Sequence, residues 1–124
     1  MRKVLCLDDD VVIAKMVADV VRFCAFEQGS ALEPVIETDS MRAIIEHARN
    51  PDFVAAVVDL LMPRVTGVDV LAAFSEHNAK CRRVLLTAAP QEAIVRTAVA
   101  EGIIHRVIVK PPGLHELRAV IDWL

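Results

Sequence analysis

The feature that most constrains this chain is a series of short, unbroken apolar runs. Val4–Leu7, Phe53–Val58, Val84–Leu86 and Val107–Val109 are apolar throughout, and Pro34–Glu37 is a weaker fifth member. A strand with one wet face alternates polar and apolar residues. An unbroken run instead fits a strand covered on both faces, as in a parallel sheet. Parallel strands need long crossovers, and the segments between the runs carry helical periodicity. Ile13, Met16, Val17, Val20, Val21 and Cys24 form the first expected stripe, and Met41, Ile44, Ile45 and Ala48 the second. Asp39 or Ser40 is placed to cap the second helix, and Asn50-Pro51 to stop it. A third helix is expected from about Gly67 with Val70, Leu71 and Phe74 inward. A fourth is expected from near Pro90 through Ile94, Val95, Ala98 and Val99 to Gly102. The last follows Pro111-Pro112-Gly113, with Leu114, Leu117, Ile121 and Leu124 on one face. Five βα units in succession imply right-handed crossovers and a three-layer α/β sandwich.

Composition narrows the function classes. One domain suits 124 residues, and 55% hydrophobic residues supply a core that, with so few aromatics, must be aliphatic. A net charge of −3 argues against direct nucleic-acid binding. No apolar run is long enough to span a bilayer, and the N-terminus lacks a secretory pattern. Cys6, Cys24 and Cys81 are odd in number and widely spaced, which fits buried thiols in a reduced, cytoplasmic chain. His47, His77 and His115 read as solvated helix positions, and Trp123 as a packing residue.

In open α/β sheets, ligands collect at the carboxyl ends of the strands. There the first run ends in Asp8-Asp9-Asp10, the third in Asp59, the fourth in Thr87 and the fifth in Lys110. Crowded carboxylates repel one another, and a hard divalent cation relieves this. Mg²⁺ takes oxygen ligands and works with one or two carboxylates plus a phosphate. Asp8, Asp9 and Asp59 provide such donors, Lys110 a second positive charge and Thr87 a hydroxyl. Asp59 is the natural nucleophile, since carboxylates form acyl phosphates. Asp10 reads as the N-cap of the first helix.

Four segments, VLCLDDD (Val4–Asp10), VVDLLMPRVTG (Val57–Gly67), VLLTAA (Val84–Ala89) and VIVKPP (Val107–Pro112), stand in one order along nearly the whole chain. Together they resemble the receiver domains of two-component response regulators, the CheY-like family. The resemblance implies a flavodoxin-like (βα)5 fold with strand order 2-1-3-4-5, filling residues 1–124 as a single receiver domain. It implies that Asp59 accepts a phosphoryl group from a sensor histidine kinase or phosphotransfer protein, in a signalling domain that is not an enzyme in the ordinary sense. Asp9 would bind Mg²⁺ directly, Asp8 through water, and the Leu61 carbonyl would be a further ligand. Thr87 and Lys110 would engage the phosphoryl group, with small Ala88 giving access, and Lys110–Pro111 would be cis. Output would be read by an output domain or partner protein at the face of the fourth helix, fifth strand and fifth helix; a homodimer is left open. Leu61 and Ala89 hold positions that tune phosphoryl loss, and both are apolar here. One departure stands out: members usually carry an aromatic residue three positions before the lysine, where this chain has Val107. Any switch must then run through packing, or through His105 or Arg106.

Two other readings compete. VLCLDDDVV also fits the nucleophile motif of haloacid-dehalogenase-type phosphatases, with Asp8 as nucleophile and Asp10 as acid/base. That reading leaves Asp59 and its MPxxxG sequel without a role, and its later acidic motif could come only from Glu116 or Asp122. The third is a binding module with the fold that no longer relies on phosphorylation. The helical pattern is still running at Trp123-Leu124, so a receiver cut from a longer protein is expected, with a stand-alone regulator as the alternative.

Overall fold

The computed structural model describes residues 1–124. Strands β1 (Arg2–Leu7), β2 (Leu32–Glu37), β3 (Phe53–Asp59), β4 (Arg82–Thr87) and β5 (Arg106–Val109) form one sheet in the order β2-β1-β3-β4-β5. Every pairing is parallel. The crossovers are α1 (Val11–Gln28), α2 (Ser40–Arg42, continued by a π-helical turn Ala43–His47), α3 (Gly67–His77) and α4 (Ala93–Ala100), and α5 (Leu114–Trp123) closes the chain. This is the doubly wound, flavodoxin-like architecture that the unbroken apolar runs anticipate.

Strand alternation divides the core between the two faces. Leu5, Leu7, Ala56, Val58 and Leu85 face α2, α3 and α4, where Leu71 and Phe74 meet them. Val4, Cys6, Ala55, Val57, Val84, Leu86 and Ile108 face α1 and α5. Leu5, Leu85 and Phe74 are fully buried, each contributing about 1.5–3 kcal/mol of transfer free energy.

The helices correct several expectations. In α1 the buried stripe is Ala14, Val17, Ala18, Val21, Cys24 and Ala25, while Met16 is exposed and Ile13 and Val20 are half-buried. Alanines let the helix lie close to the sheet, so the larger side chains move to its rim. In α2, Asp39 is the cap, accepting from the Met41 and Arg42 amides. The π-turn then bonds Ala48 N–H to the Ala43 carbonyl at 3.0 Å, an i→i+5 bond that changes the helical phase. Ile45 therefore faces solvent. His47 turns inward instead of being solvated: its Nε2 lies 3.1 Å from buried Glu37 Oε1, and its ring packs edge-on to Phe53. α4 begins at Ala93 rather than near Pro90, and buries Val95 and Ala98 while Ile94 and Val99 stay exposed. In α5, Leu117, Val120 and Ile121 are inward and Leu114 is not.

Candidate metal centre and acidic pocket

Side-chain parity brings the site together. Asp8 continues the row Val4–Cys6, Asp59 the row Ala55–Val57, and Lys110 follows Ile108, all toward the α1/α5 face. Thr87 continues the opposite row from Leu85 and approaches from the other side. Register aligns the ends: Leu7 pairs with Val58, Asp59 with Leu86 and Thr87 with Val109. The carboxylate oxygens of Asp8, Asp9 and Asp59 all lie within 4.8 Å of one another. Asp8 and Asp59 are buried, and Asp9 is exposed.

Lys110 Nζ lies 2.5 Å from Asp59 Oδ1 and donates to Asp8 Oδ2 at 3.2 Å. Asp8 Oδ1 accepts from the Asp10 amide at 2.9 Å. Burial pushes the Asp8 carboxyl above its ordinary range and Asp59 adds to this, while the Asp10 amide and Lys110 oppose it. Burial alone would lower the Lys110 ammonium, but the Asp59 and Asp8 carboxylates outweigh it and hold the group above its usual value. Three carboxylates against one ammonium leave an excess negative charge, in a pocket whose donors are all oxygen. A hard divalent cation of the Mg²⁺ kind suits that donor set and charge.

A cavity of about 160 Å³ opens beside Asp59, lined by Leu60, Leu61, Thr87, Ala88, Ala89 and Lys110, with Glu92 at its edge. Thr87 Oγ1 accepts from the Ala89 amide at 3.0 Å, an ST-turn that leaves its proton free to donate. The Lys110–Pro111 bond is cis, and the Lys110 amide donates to the Thr87 carbonyl at 3.0 Å. The loop after Asp59 is drawn back tightly: Gly67 N–H donates to the Leu60 carbonyl at 2.9 Å. A Cβ at Gly67 would stand 2.1 Å from the Asp59 carbonyl oxygen, so only glycine fits. Arg64 turns that loop with φ 75°, and Thr66 and Asp69 cap α3 reciprocally.

The residues singled out in the sequence, Asp8, Asp9, Asp59, Thr87 and Lys110, thus meet at one edge, and Leu61 lines the same cavity as Asp59. Asp10 stands apart, since its Oδ1 accepts from Val12 N–H at 2.9 Å as the cap of α1. That gives Asp10 a structural role as a cap, outside the cluster of Asp8, Asp9 and Asp59. Glu116 is likewise engaged with the Gly113 amide, and Asp122 with Gln28. The phosphatase reading has no support. Glu92 was not anticipated; an exposed glutamate before a helix carries no sequence signal of its own.

The sequence profile of the response regulator receiver domain matches residues 4–122. No curated protein matches in sequence. Among solved structures, the chain is similar to a CheY-like response regulator receiver domain protein from Methanospirillum hungatei (TM-score 0.83, 19% identity, covering 99% of this chain and 92% of that one). It is also similar to the chemotaxis protein CheY4 of Vibrio cholerae (TM-score 0.75, 21% identity, 99% and 98% covered). A third is a structure described as an adenylate cyclase from Rhodopirellula baltica (TM-score 0.81, 20% identity, 98% and 85% covered).

Proposed function

The chain belongs to the response regulator receiver family, and from that premise we propose that Asp59 is its phosphoacceptor, loaded from a phosphohistidine with Mg²⁺ at Asp8, Asp9, Asp59 and the Leu61 carbonyl. The observation that carries this reading is the shared Lys110 ammonium between Asp59 and Asp8, at the mouth of a cavity that Thr87 also lines. Asp59 Oδ1 is engaged by Lys110, and its other oxygen has no hydrogen-bond partner in the chain and is not sealed from solvent. That free oxygen is the one suited to attack phosphorus. As the O–P bond forms, the P–N bond to the donor imidazole breaks, and the imidazole leaves with its electron pair and takes up a proton. A bound Mg²⁺ would supply charge neutralisation for the phosphoryl oxygens. Lys110 and the Thr87 hydroxyl then hold the transferred group, which adds about −1.5 to −2 charge at the sheet edge.

The phosphodonor protein is proposed to seat on the α1 rim. Met16, Val20, Phe23 and Leu114 surround a groove of about 500 Å³, and the helix begins directly after the aspartates. Output through the face of α4, β5 and α5 is supported by exposed Ile94 and Val99 on α4 and Val109 on β5. A cytoplasmic location fits three free, buried thiols; no helix is long and apolar enough to cross a membrane. Apolar Leu61 and Ala89 offer no group to orient an attacking water, so the aspartyl phosphate should be long-lived, and a half-life of seconds would contradict this.

The test is labelling by acetyl phosphate, followed by the mass of intact protein. One phosphoryl group should be added with Mg²⁺ present, none after chelation, and none in Asp59→Asn. Labelling that persists in Asp59→Asn would refute the assignment; parent protein that never labels with Mg²⁺ present would favour a phosphorylation-independent binding module.

A further inference from the structure

The amino ends of the strands, opposite the acidic pocket, carry a second charged site that the phosphoacceptor chemistry does not use. A cleft of about 390 Å³ there is lined by Arg2, Lys80, Arg82, His105 and Trp123, together with Leu124 and two small apolar side chains. Arg106 adjoins it: its guanidinium carbon lies 4.1 Å from the Trp123 ring centroid, and that of Arg82 lies 4.6 Å from it. None of Arg2, Lys80, Arg82 and Arg106 belongs to any ion pair of the chain. Their polar contacts are confined to long carbonyl bonds, Arg2 to Leu124 at 3.4 Å and Arg106 to Ala119 at 3.5 Å. Arg2 is thus partnered by the oxygen of the last residue, but Lys80, Arg82 and Arg106 have no carboxylate partner, and in a chain of net charge −3 three such cations beside one indole are not a by-product of excess basic residues.

Behind His105, which lines the cleft, a buried cation adds to the positive field. Arg83 is buried, and its guanidinium donates to the carbonyls of Ala79, Cys81, Gly102 and Ile103 at 2.8–3.1 Å, with no carboxylate partner. His105 Nδ1 accepts from the Arg83 amide at 2.9 Å, and its Nε2 faces the Arg83 guanidinium at 3.2 Å. Nδ1 accepts a hydrogen bond and so carries no proton, and the guanidinium beside Nε2 disfavours a second positive charge, so His105 is a neutral wall of the cleft. The strands separate this cleft from the acidic pocket by roughly 20 Å.

We propose that this cleft is a binding site for a nucleoside di- or triphosphate. Guanidinium groups match phosphate oxygens bidentately, whereas lysine adds a point charge. Guanidinium planes and the indole edge accept a flat base. The volume suits a nucleotide better than a single phosphate ion. The inference is independent of the role assigned to Asp59.

Trp123 is the sole tryptophan and the chain has no tyrosine, so intrinsic fluorescence excited at long wavelength reports this cleft alone. Titration of the full chain with ADP and ATP, magnesium-free and at low salt, should change that fluorescence saturably, and the apparent affinity should fall steeply as salt rises. Lys80→Ala and Arg82→Ala should each weaken binding by about tenfold or more, with acetyl phosphate labelling unchanged as the check on folding; Lys80 is exposed, so its variant tests the site without disturbing the core. Tighter binding of ADP than of inorganic pyrophosphate supports the nucleotide. Equal affinity for pyrophosphate overturns a role for the base, and equal competition by a glutamate-rich peptide overturns phosphate recognition altogether. The site is refuted if neither nucleotide binds, or if Asp59→Asn rather than Lys80→Ala abolishes binding.

Discussion

Replacing Gly67 by alanine sets two effects of opposite sign against each other. Gly67 is the first residue of α3, and alanine in a helix is ordinarily favoured over glycine by about 1 kcal/mol. Here the new Cβ would meet the Asp59 carbonyl oxygen at 2.1 Å, the Asp59 carbonyl carbon at 2.9 Å and Leu85 Cδ1 at 3.0 Å. Reaching an ordinary contact of about 3.4 Å requires backbone to retreat by more than about 1 Å, either at the end of β3 or at the start of α3. Overpacking costs about 1–3 kcal/mol, and a clash this close with backbone takes the upper end, about 3 kcal/mol; less the helical gain of about 1 kcal/mol, the net expectation is a loss of about 2 kcal/mol. For a domain of this size that is roughly 8 °C in Tm. The displaced group is the backbone of Asp59 itself, and a misplacement of about 1 Å at a reacting atom costs about 100-fold in rate. Gly102→Ala is the control: its φ of +77° makes alanine strained, but nothing lies within 4 Å of the new Cβ. It should lower stability by about 1 kcal/mol and leave labelling intact. The assays are thermal denaturation and the initial rate of labelling by acetyl phosphate with Mg²⁺. Labelling of Gly67→Ala within twofold of the parent, with Tm unchanged or raised, would refute the steric argument and the placement of Asp59 that it rests on.

Three further predictions concern charge and burial. Lys110→Ala leaves Asp8 and Asp59 facing each other unpaired, so the metal-free protein should lose about 3 kcal/mol. Mg²⁺ should bind at least as tightly as in the parent and restore stability with rising concentration; complete loss of metal binding in denaturation titrations would contradict this division of labour. His105 is held below its ordinary value of 6.5 by burial first, then by Arg83 and Arg82. Its contribution to stability is therefore complete above pH 6.5 and lost as pH falls below it, since the unfolded chain takes up the proton first. His105→Gln should flatten the decline in urea midpoint between about pH 6.5 and 5; parallel curves for parent and variant would count against the neutral imidazole. Burial pushes the Cys6 and Cys81 thiols up to about 12, and raises Cys24 as well. All three should resist Ellman's reagent in the native protein and react once guanidinium unfolds it, and rapid native labelling would show that the core opens.

The sheet was legible because an unbroken run such as Val84–Leu86 has one ready explanation, a strand covered on both faces. The acidic pocket was legible because each of its residues directly follows such a run, so strand ends and chemistry coincide. Helix faces were harder to read. In α1 the apolar residues Met16 and Val20 outweigh Ala14 and Ala18 in any periodicity count, yet closeness to the sheet selects the small ones. The π-turn at Ala43–His47 has no distinctive sequence signature, and with it the burial of His47 against Glu37 stayed hidden. The basic cleft was invisible for another reason. Arg2, Lys80, Arg82, His105 and Trp123 come from distant parts of the chain, and only the parallel topology gathers the amino ends of β1, β4 and β5 beside the end of α5.

A single ammonium bridging Asp59 and Asp8 makes the resting pocket a three-body system. Its energies do not divide into pairs: what Asp8 is worth depends on whether Asp59 carries charge, and what Lys110 is worth depends on both. A phosphoryl group on Asp59, as proposed, would therefore be sensed at Asp8 without any movement of β1, because the two carboxylates compete for the same cation.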